Sequence, residues 1–100
     1  MIDLRVARGF DWDDGNERKS TDKHGVSRQE AEQVFLNGPL ALSTDEAHSD
    51  DEPRFHALGR TEAGRLLHVT FTLRDGGRLI RVISARDASK RERESYRDHA

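Results

Sequence analysis

One hundred residues suffice for one domain and are too few for two, so a single domain over residues 1–100 is expected. Hydrophobic residues make up 33% and charged residues 36%, which limits the core to a modest size, although the apolar residues are clustered enough for a folded chain. The absence of cysteine excludes a disulfide framework and a thiolate metal centre, and no apolar run reaches the length of a membrane span or a signal-peptide core. A soluble, cytoplasmic protein is expected.

The net charge of -2 conceals an asymmetry. Residues 1–53 carry six Lys and Arg against thirteen Asp and Glu, a balance of -7. Residues 54–100 carry eleven Lys and Arg against six Asp and Glu, a balance of +5. Ten of those eleven cations are Arg, whose guanidinium forks onto phosphate, so the second half suits a polyanion as well as a merely solvated surface.

Ile2, Leu4 and Val6 alternate, and Phe10 and Trp12 continue the spacing, which predicts a short strand within residues 2–12. Residues 14–24 read as a helix that is polar nearly all round and closed by Gly25. Ser27-Arg28-Gln29-Glu30 is a capping box that opens a second helix, with Ala31, Val34 and Phe35 as its buried stripe. Asn37-Gly38-Pro39 stops it. Leu40–Thr44 reads as a strand and Asp45–Pro53 as an acidic exposed loop. Three strands follow, at Arg54–Thr61, Arg65–Arg74 and Arg78–Arg86, the last two joined at Asp75-Gly76-Gly77. Leu67, Val69, Phe71 and Leu73 share one face of the middle strand. Ser89-Lys90-Arg91-Glu92 is a second capping box and opens a C-terminal helix. The order predicts an α+β fold, a small antiparallel sheet with two helices in the N-terminal half and one at the C-terminus, all packed on one side.

Several short blocks carry a family likeness. Phe10-Asp11-Trp12-Asp13, then Asn16 and Lys19, then Lys23-His24-Gly25-Val26, resemble the N-terminal signature of the BrnT toxins. Glu30-Ala31-Glu32 with Val34-Phe35 is similar to the family's second helix. His48-Ser49, Glu52, Arg54-Phe55, Gly59-Arg60-Thr61, Gly64-Arg65-Leu66-Leu67, Phe71-Thr72 and Arg74 resemble its central block. Arg81 to Arg86, then Glu92 and Tyr96, resemble its C-terminal block. The likeness covers residues 10–97, and Ser20 departs from it, standing where many relatives have Asn.

The resemblance implies a RelE-like fold and a ribonuclease that inhibits translation and growth. It also implies a BrnA-like antitoxin of ribbon–helix–helix type, joined to the toxin in a 2:2 heterotetramer that touches operator DNA through the antitoxin. It implies no cofactor. The alternative is a catalytically inactive relative that binds its partner as a corepressor.

Cutting RNA without a metal needs a base for the 2′-hydroxyl proton, cations for the phosphate charge and an acid for the leaving 5′-oxygen. Arg81, which interrupts an apolar strand, and Arg86, at that strand's end, are the first candidates for the phosphate; the structural alternative is pairing with a carboxylate such as Glu92 for Arg81 and a solvated strand-end charge for Arg86. Lys23 and His24 either complement a helix C-terminus or take part in proton transfer. Arg54 joins this catalytic set. His48, His56 and His68 are further proton-transfer candidates, and the last two fall on adjacent strands without any ligand-spaced metal motif. Lys19, Arg60, Arg65 and Arg74 are candidates for RNA backbone contacts, and Tyr96 either stacks a base or packs on the sheet.

Overall fold

A computed structural model of the chain describes residues 4–45 and 52–99. Their helices are α1 (Asp14–His24), α2 (Arg28–Leu36) and α3 (Lys90–His99). Their strands are β1 (Gly9–Phe10), β2 (Ala41–Thr44), β3 (Phe55–Arg60), β4 (Leu66–Arg74) and β5 (Leu79–Asp87). The sheet runs β1-β5-β4-β3-β2. β2 to β5 form an antiparallel meander, and β1 adds to the edge parallel to β5. No helix among the described residues is long and apolar enough to cross a membrane.

The N-terminal strand is shorter than its alternating pattern predicts. Leu4–Val6 is a 3-10 turn, closed by the Ala7 N–H donating to the Leu4 carbonyl, and only Gly9 and Phe10 pair with β5. The reason is competition for one edge, because α1 takes over beside β5 almost at once. Ile2, His48 and residues 46–51 of the acidic loop lie outside the described residues.

α1 forms from its ends inward. Asp13 caps it, accepting from the Asn16 N–H, and Gly25 closes it at φ 62°, a left-handed conformation that glycine adopts without a Cβ penalty. Its buried residue is Ser20, whose Oγ accepts the Ala85 N–H at 3.1 Å. That bond satisfies a backbone donor of β5.

α2 has an apolar side. Both halves of its capping box are formed, and Ala31 and Val34 are fully buried. Phe35 meets Phe71 edge to face, with ring centroids 5.0 Å apart. Gly59 permits the close approach, since a Cβ there would lie 2.9 Å from Val34 Cγ1 and 3.1 Å from the Val34 carbonyl oxygen. Ala57, Leu67, Val69, Phe71 and Val82 complete this core.

α3 does not join α2 on its side, as a one-sided arrangement would require. Gly59 and Leu67 face α2, whereas their strand neighbours Leu58 and His68 line a cleft with Arg91, Glu92 and Ser95 of α3. The Tyr96 hydroxyl donates to the Pro39 carbonyl at 2.7 Å, holding α3 across that opposite face. The sheet therefore lies between helices.

Each capping box ends on an arginine. Glu92 accepts the Ser89 N–H, closing its box, and takes Arg86 in two parallel bonds of 2.8 and 2.9 Å. Glu30 accepts the Ser27 N–H and binds Arg65. Arg65 also holds both oxygens of Asp87, at 2.7 and 3.0 Å, and the carbonyls of His24 and Gly25 at 3.2 and 2.9 Å. One guanidinium thus joins the end of α1, the start of α2 and the paired ends of β4 and β5.

Arg65→Lys should cost about 1–3 kcal/mol, because an ammonium cannot reproduce the planar fork. Urea unfolding measures it, and a variant as stable as wild type would mean that the charge alone suffices. The Arg86 guanidinium, against the cost of burial and with help from the Ser89 N–H, holds the Glu92 carboxyl at about 2, below its ordinary 4.5. The folded value is the lower one, so this contribution to stability is full above pH 4.5 and is lost as pH falls towards about 2. Glu92→Gln should flatten the acid limb of a plot of urea midpoint against pH; an unchanged limb would place the acid sensitivity elsewhere.

Candidate active site

Side chains alternate along a strand, so Arg81 and Arg86, an odd number of residues apart, would face opposite sides of a regular β5. A bulge between Thr70 and Phe71 of β4, opposite Ile83, changes this. Arg81 pairs with Thr72, Ser84 with Thr70 and Arg86 with His68, all on even positions of β4. The extra residue restores both arginines to one face, the kind of re-aiming that bulges provide. His56 of β3, opposite Thr70, shares that face.

The His56 and His68 rings lie 4.7 Å apart between centroids. His56 places Nδ1 3.1 Å from Thr70 Oγ1 and Nε2 3.1 Å from an Asp45 carboxylate oxygen. His68 places Nε2 3.5 Å from Glu92. Burial lowers the His68 pKa below its ordinary 6.5, and the charges of Arg86 and His56 push the same way against Glu92. The imidazole is therefore mainly uncharged at neutral pH. His56, His68 and Glu92 border a cleft of about 350 Å³ that β2 and β3 share with α3, where Ser43, Arg91 and Ser95 complete the polar lining.

The two leading arginines are both paired in the free chain. Arg81 Nη2 lies 3.5 Å from Asp13, the cap of α1, rather than from Glu92. Arg86 is the one that meets Glu92. Arg54 is half-buried just before β3. Lys23 and His24 lie in the last turn of α1, whose opposite end meets Arg81. Eleven helical residues rise roughly 16 Å, so the structure does not bring these two to Arg81.

The expected RNA contacts divide. Lys19 and Arg60 are exposed. Arg65 is saturated by Glu30, Asp87 and two carbonyls, which makes it a structural tie. Tyr96 is 2% exposed with its hydroxyl committed to Pro39, so it packs and presents no ring to a base. Arg74 pairs with Glu52 at 3.1 Å. Asp45 and Arg91 carry no signal in the sequence that sets them apart from other loop and helix charges; the fold singles them out, Asp45 by its contact with His56 and Arg91 by its place in the cleft. Among the described residues no cluster of three or more metal-ligating side chains occurs.

No curated protein matches the sequence. The fold is similar to the crystal structure of the Brucella abortus ribonuclease toxin BrnT, with a TM-score of 0.60 at 24% identity, covering 84% of this chain and 100% of that one. The family model described as the ribonuclease toxin, BrnT, of type II toxin–antitoxin systems matches residues 12–92. That span runs from Trp12 beside the α1 cap through the whole meander to Glu92, and on it the chain belongs to the BrnT family of ribonuclease toxins.

Proposed function

We propose that this chain is an endoribonuclease toxin that cuts RNA by metal-independent acid–base chemistry and so inhibits translation and growth. The observation that carries the reading is the bulged face, where Arg81, Arg86, His56 and His68 share one side of three adjacent strands.

In this reading His68, uncharged through burial, accepts the 2′-hydroxyl proton as the 2′-oxygen attacks phosphorus. Arg86, oriented by Glu92, and Arg81 stabilise the charge that grows on the non-bridging oxygens. The bond from phosphorus to the 5′-oxygen breaks, and His56, with Asp45 beside Nε2, gives that oxygen a proton. The products are a 2′,3′-cyclic phosphate and a 5′-hydroxyl. Arg54, Lys19 and Arg60 contribute cationic contacts to the RNA backbone, whereas Lys23 and His24 stay outside the chemistry.

The family's type II character supports an antitoxin as partner. A BrnA-like, ribbon–helix–helix antitoxin in a 2:2 assembly would neutralise the toxin by covering its basic face, and would carry the contact with operator DNA. The site of action would be the cytoplasm, where the RNA is. One observation favours the second reading, a corepressor without catalysis: Arg81 and Arg86 already have carboxylate partners. An active enzyme must let a phosphate compete with Asp13 and Glu92.

The test is cleavage of a mixed RNA by the purified chain in EDTA. Cleavage should persist and leave 5′-hydroxyl ends, and folded Arg81→Ala, Arg86→Ala and His68→Gln variants should each lose about 10²–10⁴-fold in rate. Because the His68 pKa is lowered, kcat/KM should rise with pH through a midpoint below 6.5, and that limb should vanish in His68→Gln. A folded wild-type chain that cuts nothing would favour the corepressor.

A further inference from the structure

α3 separates two hollows. Arg91, Glu92 and Ser95 border the histidine cleft, whereas Arg93 and Arg97 border a second hollow of about 350 Å³ beside Arg60, Arg65 and Asp87. Its charge balance differs from that of the rest of the sheet. Arg65, Arg74, Arg78, Arg81 and Arg86 each have a carboxylate within 4.0 Å. Arg60, Arg93 and Arg97 have none among the described residues; Arg60 meets a carbonyl and a ring, and Arg93 a carbonyl. The Asp87 carboxylate is held by the Arg65 fork and also feels the charge of Arg93, so four guanidinium groups share one carboxylate in this lining.

Two of the three are held in place. Arg60 lies over the Tyr96 ring at 5.5 Å and donates to the Gly64 carbonyl at 3.3 Å. Arg93 donates Nε to the Ala88 carbonyl at 3.2 Å, which leaves both of its terminal nitrogens for a ligand. Arg93 and Arg97 are one helical turn apart on α3. Like charges held this close are unfavourable until an anion sits between them.

We infer that this hollow binds a phosphodiester of single-stranded RNA away from the scissile bond, as a second anchoring point for the strand. Arginine forks match phosphate oxygens, and the Arg60 plane, backed by Tyr96, offers a surface on which a base can stack. An acidic protein segment fits less well. The remaining lining is Gly64 and Leu66, without the exposed aromatic anchor at the centre of a protein interface, since Tyr96 is itself buried. The inference rests on the ribonuclease reading for the identity of the polyanion, but its own observation is the excess of arginine over carboxylate in the hollow.

Fluorescence anisotropy with a short single-stranded RNA carrying 2′-O-methyl groups measures binding without cleavage. In the Arg60→Gln/Arg93→Gln/Arg97→Gln triple variant, the slope of log affinity against log salt should flatten by about 0.7 per lost contact, about 2 in all. That corresponds to roughly 100-fold weaker binding one decade of salt below the point where the two curves meet. Arg78→Gln, at the exposed hairpin, serves as the control and should leave the slope unchanged. All the substituted side chains are exposed, so far-ultraviolet circular dichroism should match wild type. An unchanged slope in the triple variant, or an equal loss in Arg78→Gln, overturns the inference. So does a variant that keeps RNA binding but loses binding to polyglutamate, which would mark a site for an acidic protein. A wild-type chain that binds RNA through this trio and cuts nothing would leave the anchoring point standing and remove the ribonuclease reading instead.

Discussion

Arg65 is the constraint on which the layout depends. Three elements end within reach of its guanidinium, and each end presents acceptors to it: two carbonyls from the close of α1, the Glu30 carboxylate at the start of α2, and Asp87 where β5 leaves the sheet. A helix C-terminus carries partial negative charge, so a cation placed there also meets the α1 dipole. The interaction is charge-assisted at several contacts at once, and the pKa of both carboxyl partners is lowered: the Ser27 N–H, then Arg65, act on Glu30, and Arg65 acts on Asp87. With this corner fixed, the meander and the two early helices can have only one relative placement.

At the other face the same chemistry serves a different end. Glu92 closes a helix cap, holds Arg86 in a two-point grip and stands 3.5 Å from His68. The grip sets the direction of the guanidinium, and the single bulge in β4 and β5 sets which side of the sheet it emerges on. Neither device is large. Together they place two arginines at positions of opposite parity on the face that carries two imidazoles.

Much of this was legible in the residues. Both capping boxes, the glycine stop after His24, the Asp75-Gly76-Gly77 turn and the apolar face of Leu67, Val69 and Phe71 carry local signals strong enough to fix α1, α2, α3 and the hairpin. The nearness of His56 and His68 followed from placing them on adjacent strands. What was not legible depends on contacts distant in sequence. Leu4 and Val6 alternate like a strand, but pairing needs a free edge, and α1 occupies most of the one beside β5. The side chosen by α3 is set by Tyr96 reaching Pro39, which no periodicity reports. Parity on β5 was misleading because a bulge leaves little trace in an apolar run such as Leu79 to Ile83. The roles of Arg65 and Tyr96 also hid in plain sight: residue type admits both ligand contact and packing, and only the number of acceptors around each decides.

α1 carries no apolar side chain, whereas α2 has an apolar stripe and α3 has the buried Tyr96. It is fastened by Asp13 to Arg81 at one end, by its terminal carbonyls to Arg65 at the other, and by Ser20 to a single backbone amide between them. Such a helix gains little from the solvent-exclusion that makes the rest of the domain melt as one. Its amides belong at the low end of the hydrogen-exchange hierarchy, opening and reclosing many times while the phenylalanine-lined core stays shut. Because Asp13 is both the helix cap and the counter-ion of Arg81, every such opening also releases a sheet arginine, so the charge exposed on the polar face fluctuates with the helix rather than with the fold.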